Sequence, residues 1–294
     1  MNSLMKEIQA RRRQMSKGQL RIAAFITDHY EQAAFMTAAK LGEAAHVSES
    51  TVVRFAYALG LTGYPELQDR MQELVLGKLT SVQRAQLASG IPQEDVFKRV
   101  LTTDINSIRA TMEMVDEGQF DRAVTALLEA RRVYVLGLRS AMPLAEFLSY
   151  YLDYICGNVV NLSGRQEDLQ EAMVRMDQHD VLFCISFPRY STRTAEAIRF
   201  AREKGTFIIA LTDKMDSPIG QLGHVVLLAK SDMASFADSL TAPLSVINAL
   251  IAAAGVRGGT EVQAHLEELE GVWGRDKVYL TDQLSGSFKQ AEVL

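Results

Sequence analysis

Residues 180–205, DVLFCISFPRYSTRTAEAIRFAREKG, decide the fold of this chain. Val181, Leu182, Phe183, Cys184 and Ile185 form a run too short for most helices and apolar at every position, the pattern of a strand buried on both faces. Ser186 to Ser191 follow with hydroxyls and an arginine. Ala195, Ile198, Phe200 and Ala201 then repeat at helical spacing before a glycine stop at Gly205. A second apolar run at 207–211 completes a βαβ unit, whose crossover is right-handed in nearly all known cases. In open parallel sheets, ligands sit beyond the carboxyl ends of the strands, where helix N-termini direct N–H groups into the crevice. Residues 187–192 occupy that place, although Ser and Thr there also serve as ordinary helix caps.

Working outward, an earlier strand at 133–136 runs into Gly137, Arg139 and Ser140, and Pro143 suits the first turn of a helix whose face includes Leu144, Phe147, Leu148 and Tyr151. A strand at 158–162, a helix at 167–176, a last strand at 224–228 and a closing helix at 236–254 complete the pattern. Five strands alternating with helices predict a doubly wound α/β domain with a five-stranded parallel sheet over residues 121–258. Before it, a helical linker spans 78–120. Its long helix at 93–115 carries Val96, Val100, Ile105, Ile108 and Met112, which fit either packing on the second domain or a dimer interface. The tail at 259–294, with Trp273 and Tyr279, reads as a helix followed by a loose end.

The amino-terminal third is all-α. Ser16 caps a helix at 16–30 whose side is lined by Leu20, Ala23, Ala24 and Thr27. Next comes TAAKLGEAAHVSESTVVRFAYALGLTGY at 37–64: a helix at 38–45, a turn through His46 and Val47, Ser48 as N-cap, and a helix at 49–59 that stops at Gly60. Gly42 is the small residue that permits close approach. His46 stands where glycine often does, so it is expected in a left-handed conformation. An ordinary helical hairpin would need none of this combination, which is the helix-turn-helix arrangement. Its second helix lies in the major groove and reads base edges. Ser48, Ser50, Thr51, Arg54 and Tyr57 are the candidate DNA-binding residues; Arg54 has the fork for guanine O6/N7, and Ser50 or Thr51 suit a base edge, a thymine methyl or a phosphate. Arg11, Arg12 and Arg13 fit a solvated face or a phosphate contact equally.

The 294 residues carry a formal charge of −5, which argues against a wholly basic surface without excluding a local nucleic-acid module. The two cysteines, Cys156 and Cys184, lie among apolar neighbours with no CxxC spacing, as buried thiols in a reducing compartment do. The five histidines fall into no ligand motif, so neither metal nor cofactor is expected. With no signal peptide or long apolar span, a cytoplasmic protein without a membrane partner is expected.

VSESTVVRFAYALGLTGYPELQ at 47–68, with SKGQLRIAAFI at 16–26, closely resembles the helix-turn-helix domain of the RpiR/MurR family of bacterial transcriptional regulators. The resemblance covers residues 4–77 and sets a first domain at 1–77. That family joins this domain to a sugar isomerase (SIS) domain, which the strand order and ALTDKMDSPIGQLGHVVL at 210–227 also resemble. The resemblance implies a phosphorylated sugar held by the Ser/Thr-rich loops after the first and third strands, here through Ser140, Ser186 and Ser191. Two family glycines are replaced near Arg139 and Arg189. Arginine adds a fork suited to phosphate or carboxylate, so the expected effector site is Arg139, Ser140, Ser186, Arg189, Tyr190 and Ser191. Tyr190 suits stacking on a sugar ring or covering the sheet edge. The expected protein is a homodimeric, ligand-responsive regulator reading a palindromic operator in double-stranded DNA. The other reading is a sugar-phosphate isomerase or lyase; it needs a general base, and Glu146, outside both loops, is the nearest acidic residue to the first.

Overall fold

The computed structural model describes residues 3–76, 80–88, 92–164, 168–233 and 237–280. The expected domain edge at residue 77, the helix start at Glu167 and the helix start at Phe236 lie outside the described residues, as does the tail beyond 280. Two compact units emerge, residues 1–90 and 91–294.

The first unit contains α1 (Ser3–Arg11), α2 (Lys17–Asp28), α3 (Tyr30–Ala33), α4 (Ala38–Ala44), α5 (Glu49–Ala58), α6 (Tyr64–Leu76) and α7 (Ser81–Ala88). Ser16 makes a full capping box with Gln19 at the start of α2, which satisfies two amides that the helix itself leaves without partners. α2 buries Ile22, Ala23 and Ile26; Ala23 lies on the expected side and Ile26 beside it, whereas Leu20 is half-buried and Ala24 and Thr27 are exposed. β-branched Ile22 and Ile26 meet Leu41, Val52, Phe55 and Leu67 in one core, and that contact overrides the weaker periodicity of the smaller residues.

The second unit begins with α8 (Val96–Met114) and α9 (Glu117–Glu129). There follow β1 (Val133–Gly137), α10 (Met142–Cys156), β2 (Val159–Asn161), α11 (Leu169–Met173), β3 (Val181–Ile185), α12 (Thr192–Glu203), β4 (Phe207–Thr212), β5 (Val225–Leu228) and α13 (Thr241–Asp276). All strand pairs are parallel, in the order β2-β1-β3-β4-β5. Each residue of β1 and β3 is buried, as an apolar strand covered by helices on both faces must be. One core lies between the sheet and α9, α10 and α13; the other lies beneath α11 and α12.

Two elements differ from expectation. Tyr151, expected on the buried face of α10, is exposed; Leu144, Ala145, Leu148 and Leu152 supply the buried face instead. The closing helix runs to Asp276 rather than Ala254 and is interrupted at Gly259 (φ 55°, ψ −126°), a conformation open to glycine. α13 is long and apolar enough to cross a membrane by length and composition alone, against the expectation of no such span. Its Val246, Ile247, Leu250 and Ala254 are buried in the core over the sheet, the position of an interior helix.

Candidate DNA-reading face and effector crevice

The turn between α4 and α5 is built from backbone bonds. Val47 N–H donates to Gly42 O (2.8 Å) and His46 N–H to Glu43 O (3.1 Å), the paired closure of a Schellman motif. Such a closure requires a left-handed residue after the helix, and His46 takes it with φ 54°. A Cβ on residue 42 would stand 3.0 Å from Val47 O and 3.2 Å from Glu49 N. Glycine at 42 therefore lets the turn and the first residue of α5 lie against α4.

Val52, Phe55 and Ala56 anchor α5 in the core. On its outer side Ser48, Ser50, Arg54 and Tyr57 are exposed, with Tyr57 57% accessible. Ser48 holds the N-cap position but its hydroxyl makes no capping bond. It lies 2.9 Å from the hydroxyls of Ser50 and Thr51 instead, so three hydroxyls cluster at the N-terminus of the helix. Thr51 departs from expectation: it is half-buried, and its methyl would meet a Cβ on Gly18 at 3.1 Å. Only part of that side chain faces outward. Arg54 Nε donates to Ser50 O at 3.2 Å, a bond that does not use its terminal nitrogens.

Arg11 resolves one open alternative. Its Nη1 donates to Ala58 O (2.7 Å), and the guanidinium lies beside Gly60, which has φ 82°. It caps the C-terminus of α5, where a cation complements the helix dipole. Periodicity could not find this bond, because it joins residues 47 apart. Sequence reading also passed over Lys17. It is exposed in the first turn of α2, and the adjoining Gly18 packs on Thr51 and Val47, so a cation stands near the N-terminus of α5.

In the second unit, strand order reverses between β1 and β3, the switch point at which doubly wound sheets bind ligands. Gly137 and Ile185 are register partners at the ends of these strands, so the two loops start side by side. Gly137 cannot carry a side chain: a Cβ would be 2.5 Å from Ala141 O and 2.9 Å from Ala145 Cβ. Its N–H donates to the buried Ser163 Oγ (3.1 Å). Beyond it, Arg139 (φ 59°) and Arg189 (φ 62°) both adopt the left-handed conformation. Both arginines are exposed, as is Ser140. The backbone of each loop thus keeps a shape that suits glycine while each loop gains a cation.

Ser186 is buried at the end of β3, with its N–H bonded to Leu211 O at 3.2 Å. Ser191 caps α12, accepting from Thr194 N–H at 3.4 Å. Thr194 is wholly buried, and its Oγ1 has no hydrogen-bond partner among the described residues. Tyr190 neither stacks outward nor simply covers an edge. Its hydroxyl donates to Asp213 Oδ1 at 2.6 Å, and burial, then the Asp213 carboxylate, raise its pKa well above the ordinary phenol value. Thr212 Oγ1 also donates to Asp213 and lies 3.0 Å from Ser217 Oγ. This tether between the ends of β3 and β4 left no signal in the sequence.

Two clefts among the described residues lie elsewhere, one near Glu171 of α11 and Arg193 and Glu196 of α12, the other at the amino-terminal ends of the strands near Arg131, Asp180 and Phe207. Neither includes an expected effector residue. Among the described residues no group of three His, Cys, Asp or Glu side chains could hold a metal. Burial pushes both thiols up, Cys156 to about 11 with help from Asp153, and Cys184, which is fully buried, further.

Residues 1–75 match the helix-turn-helix domain of the rpiR family, and residues 126–253 match the SIS domain. The chain belongs to the RpiR family. It is 26% identical to the HTH-type transcriptional regulator HexR of Pseudomonas aeruginosa over 92% of this chain and 95% of that one. The sugar isomerase domain of an RpiR transcription factor from Sphaerobacter thermophilus superposes with a TM-score of 0.58 at 26% identity, over 60% of this chain and 98% of that one. NanR of Vibrio vulnificus, solved in complex with ManNAc-6P, shares the fold with a TM-score of 0.55 at 20% identity, over 92% and 98% of the two chains. This RpiR-family chain is accordingly a transcriptional regulator with an SIS domain.

Proposed function

We propose that this regulator binds double-stranded DNA as a homodimer through Ser48, Ser50, Thr51, Arg54 and Tyr57, and that a small anionic metabolite controls it from the SIS crevice. The metabolite class is a phosphosugar or a related sugar derivative. Arg139, Ser140, Ser186 and Arg189 are the residues assigned to it; Ser191 contributes the helix N-terminus it caps, and Tyr190 positions the loop through Asp213. The observation that carries this reading is the pair of left-handed arginines at the ends of β1 and β3. Two cations at one switch point, next to the N-terminus of α12, favour an anion. The NanR complex with ManNAc-6P supports the choice of ligand class.

Catalysis has no support at this crevice. Glu146 is exposed on α10, and the carboxylate at the end of β4, Asp213, is engaged by Tyr190 and Thr212. A regulator of this kind works in the cytoplasm, and it uses neither metal nor cofactor.

The test is a thermal-shift screen of sugar phosphates, sugar acids and amino sugars, followed by operator binding with and without the hit. A ligand that prefers the folded state raises its melting temperature. The double variant Ser186→Ala with Arg189→Ala should abolish the ligand's effect and leave operator affinity intact. A full ligand response in that variant would refute the crevice.

A further inference from the structure

α8 seats a partly polar side on the rest of the unit and leaves an apolar stripe beside it uncovered. The polar side meets the rest of the unit: Asp104 accepts from Ser239 Oγ (2.5 Å) and Thr241 Oγ1 (3.0 Å), Ser107 Oγ donates to Asp232 (2.8 Å), and Thr111 Oγ1 accepts from Lys230 N–H (2.9 Å). Ser107 and Thr111 are buried. Next to it an apolar stripe is exposed, flanked on its other side by exposed polar residues. Phe97, Leu101, Ile105 and Met112 are 76, 47, 49 and 72% exposed, with Ile108 half-buried among them. At 100° per residue these side chains fall in one stripe about 22 Å long. A helix of a soluble monomer turns such a stripe inward, and a continuous exposed one marks an interaction surface.

We propose that this stripe is covered by α8 of a second copy of the chain, packed antiparallel about a twofold axis near Ile105. A twofold contact needs a self-complementary patch; the apolar stripe, whose members fall on both sides of Ile105, is one, and exposed Lys98, Arg109 and Glu113 follow along one flank. Lys98 lies near the start of α8 and Glu113 near its end, both exposed. Antiparallel pairing sets Lys98 of each copy beside Glu113 of the other, twice, whereas parallel pairing sets Lys98 against Lys98 and Glu113 against Glu113. Choosing a second copy over an unrelated partner rests in part on the proposed function, because a palindromic operator calls for a twofold protein.

The full-length protein is tested by sedimentation velocity near 10 µM. Wild type should be dimeric, and Ile105→Glu should weaken the dimer at least tenfold without changing the circular dichroism spectrum. Lys98→Glu should weaken it severalfold, and adding Glu113→Lys should restore it. In a Cys156→Ser background, Ile105→Cys should cross-link to itself under mild oxidation, while Phe97→Cys, placed about 24 Å from its counterpart, should not. A monomeric wild type, an Ile105→Glu variant that dimerises as wild type does, or self-cross-linking at residue 97 as fast as at 105 would overturn the proposal. The second of these would assign the stripe to another occupant, such as residues 281–294 or the chain's own first unit. Operator binding is measured separately: its absence in wild type refutes the function proposed above, while the sedimentation and cross-linking results decide the interface by themselves.

Discussion

Replacing Gly42 by alanine tests the turn on which the DNA-reading helix depends. In an isolated helix the change is favourable by about 1 kcal/mol. In this fold a Cβ at 42 would meet Val47 O at 3.0 Å, Glu49 N at 3.2 Å and Ser48 C at 3.3 Å. All three are backbone atoms, and the 2.8 Å bond from Val47 N–H to Gly42 O ties them to the same residue, so no side-chain rotation relieves the contact. Overpacking of this sort costs about 1–3 kcal/mol, enough to exceed the gain in helix propensity at all but the low end of that range. Gly42→Ala should therefore lower stability by about 1 kcal/mol, a loss of about 4–8 °C for a unit of this size. His46→Gly should have the opposite sign. A non-glycine residue at φ 54° is strained by about 1–2 kcal/mol, and the greater freedom of glycine in the unfolded chain offsets part of the gain. Thermal melts of the two variants, with fluorescence anisotropy on an operator fragment, give the comparison. Gly42→Ala should also weaken operator binding, because the turn that it displaces sets the start of α5. A Gly42→Ala protein more stable than wild type, or a His46→Gly protein less stable, would refute the reasoning.

Arg54→Ala should cost about 1–3 kcal/mol at one base position if its guanidinium makes a bidentate contact; equal discrimination between operator and scrambled DNA in this variant would remove Arg54 from the reading edge. Arg131 donates to the buried Asp180 carboxylate from Nε (3.0 Å) and Nη2 (2.7 Å). Removing one partner leaves a buried charge, so Arg131→Ala should lower the urea midpoint of the second unit, and Arg131→Lys should restore only part of it. His224 Nδ1 accepts from Ile208 N–H at 2.8 Å, which requires the neutral ring. Burial first, then Arg202 and Arg122, hold its pKa below 6.5. The unfolded chain then binds more protons between that depressed value and 6.5, so this contribution is complete above pH 6.5 and is lost as pH falls below it. Melting temperature should drop over that interval, and His224→Asn should flatten the dependence; an unchanged pH profile in that variant would show that His224 plays no part.

The sheet was legible because fully buried parallel strands leave short, dense apolar runs, and β3 coincides with the run at 181–185. The helix-turn-helix was legible for a different reason: cap, turn and small residue are local, and His46 showed its left-handed geometry by standing in a glycine's place. Arg139 and Arg189 were marked only as replacements near glycines of the resembled family, and their left-handed conformation emerged with the structure. What sequence could not give was side-chain chemistry across long separations. The Arg11 bond to Ala58, the Tyr190 bond to Asp213 and the polar seat of α8 on Asp232, Ser239 and Thr241 each depend on the fold to bring the groups together. For α8, periodicity identified the helix, but Val96 and Val100 fall toward the seated side and Phe97 and Leu101 take their place in the exposed stripe; it carried no information on which side the rest of the unit would take.

The three left-handed non-glycine residues in the two sites also bear on function together. Each costs of order 1–2 kcal/mol relative to glycine, and strain of this kind persists where something else over-determines it. At His46 the Schellman bonds require the conformation, and the side chain is exposed. At Arg139 and Arg189 glycine would hold the same backbone shape at lower cost, so what arginine adds there is its charged fork. An effector that gains from both guanidinium groups must carry negative charge. Its affinity should fall with salt and drop far more on Arg189→Gly than on Arg189→Lys, since glycine relieves the strain and removes the cation. If Arg189→Gly raised the melting temperature and left effector affinity unchanged, the arginine would owe its place to something other than the ligand.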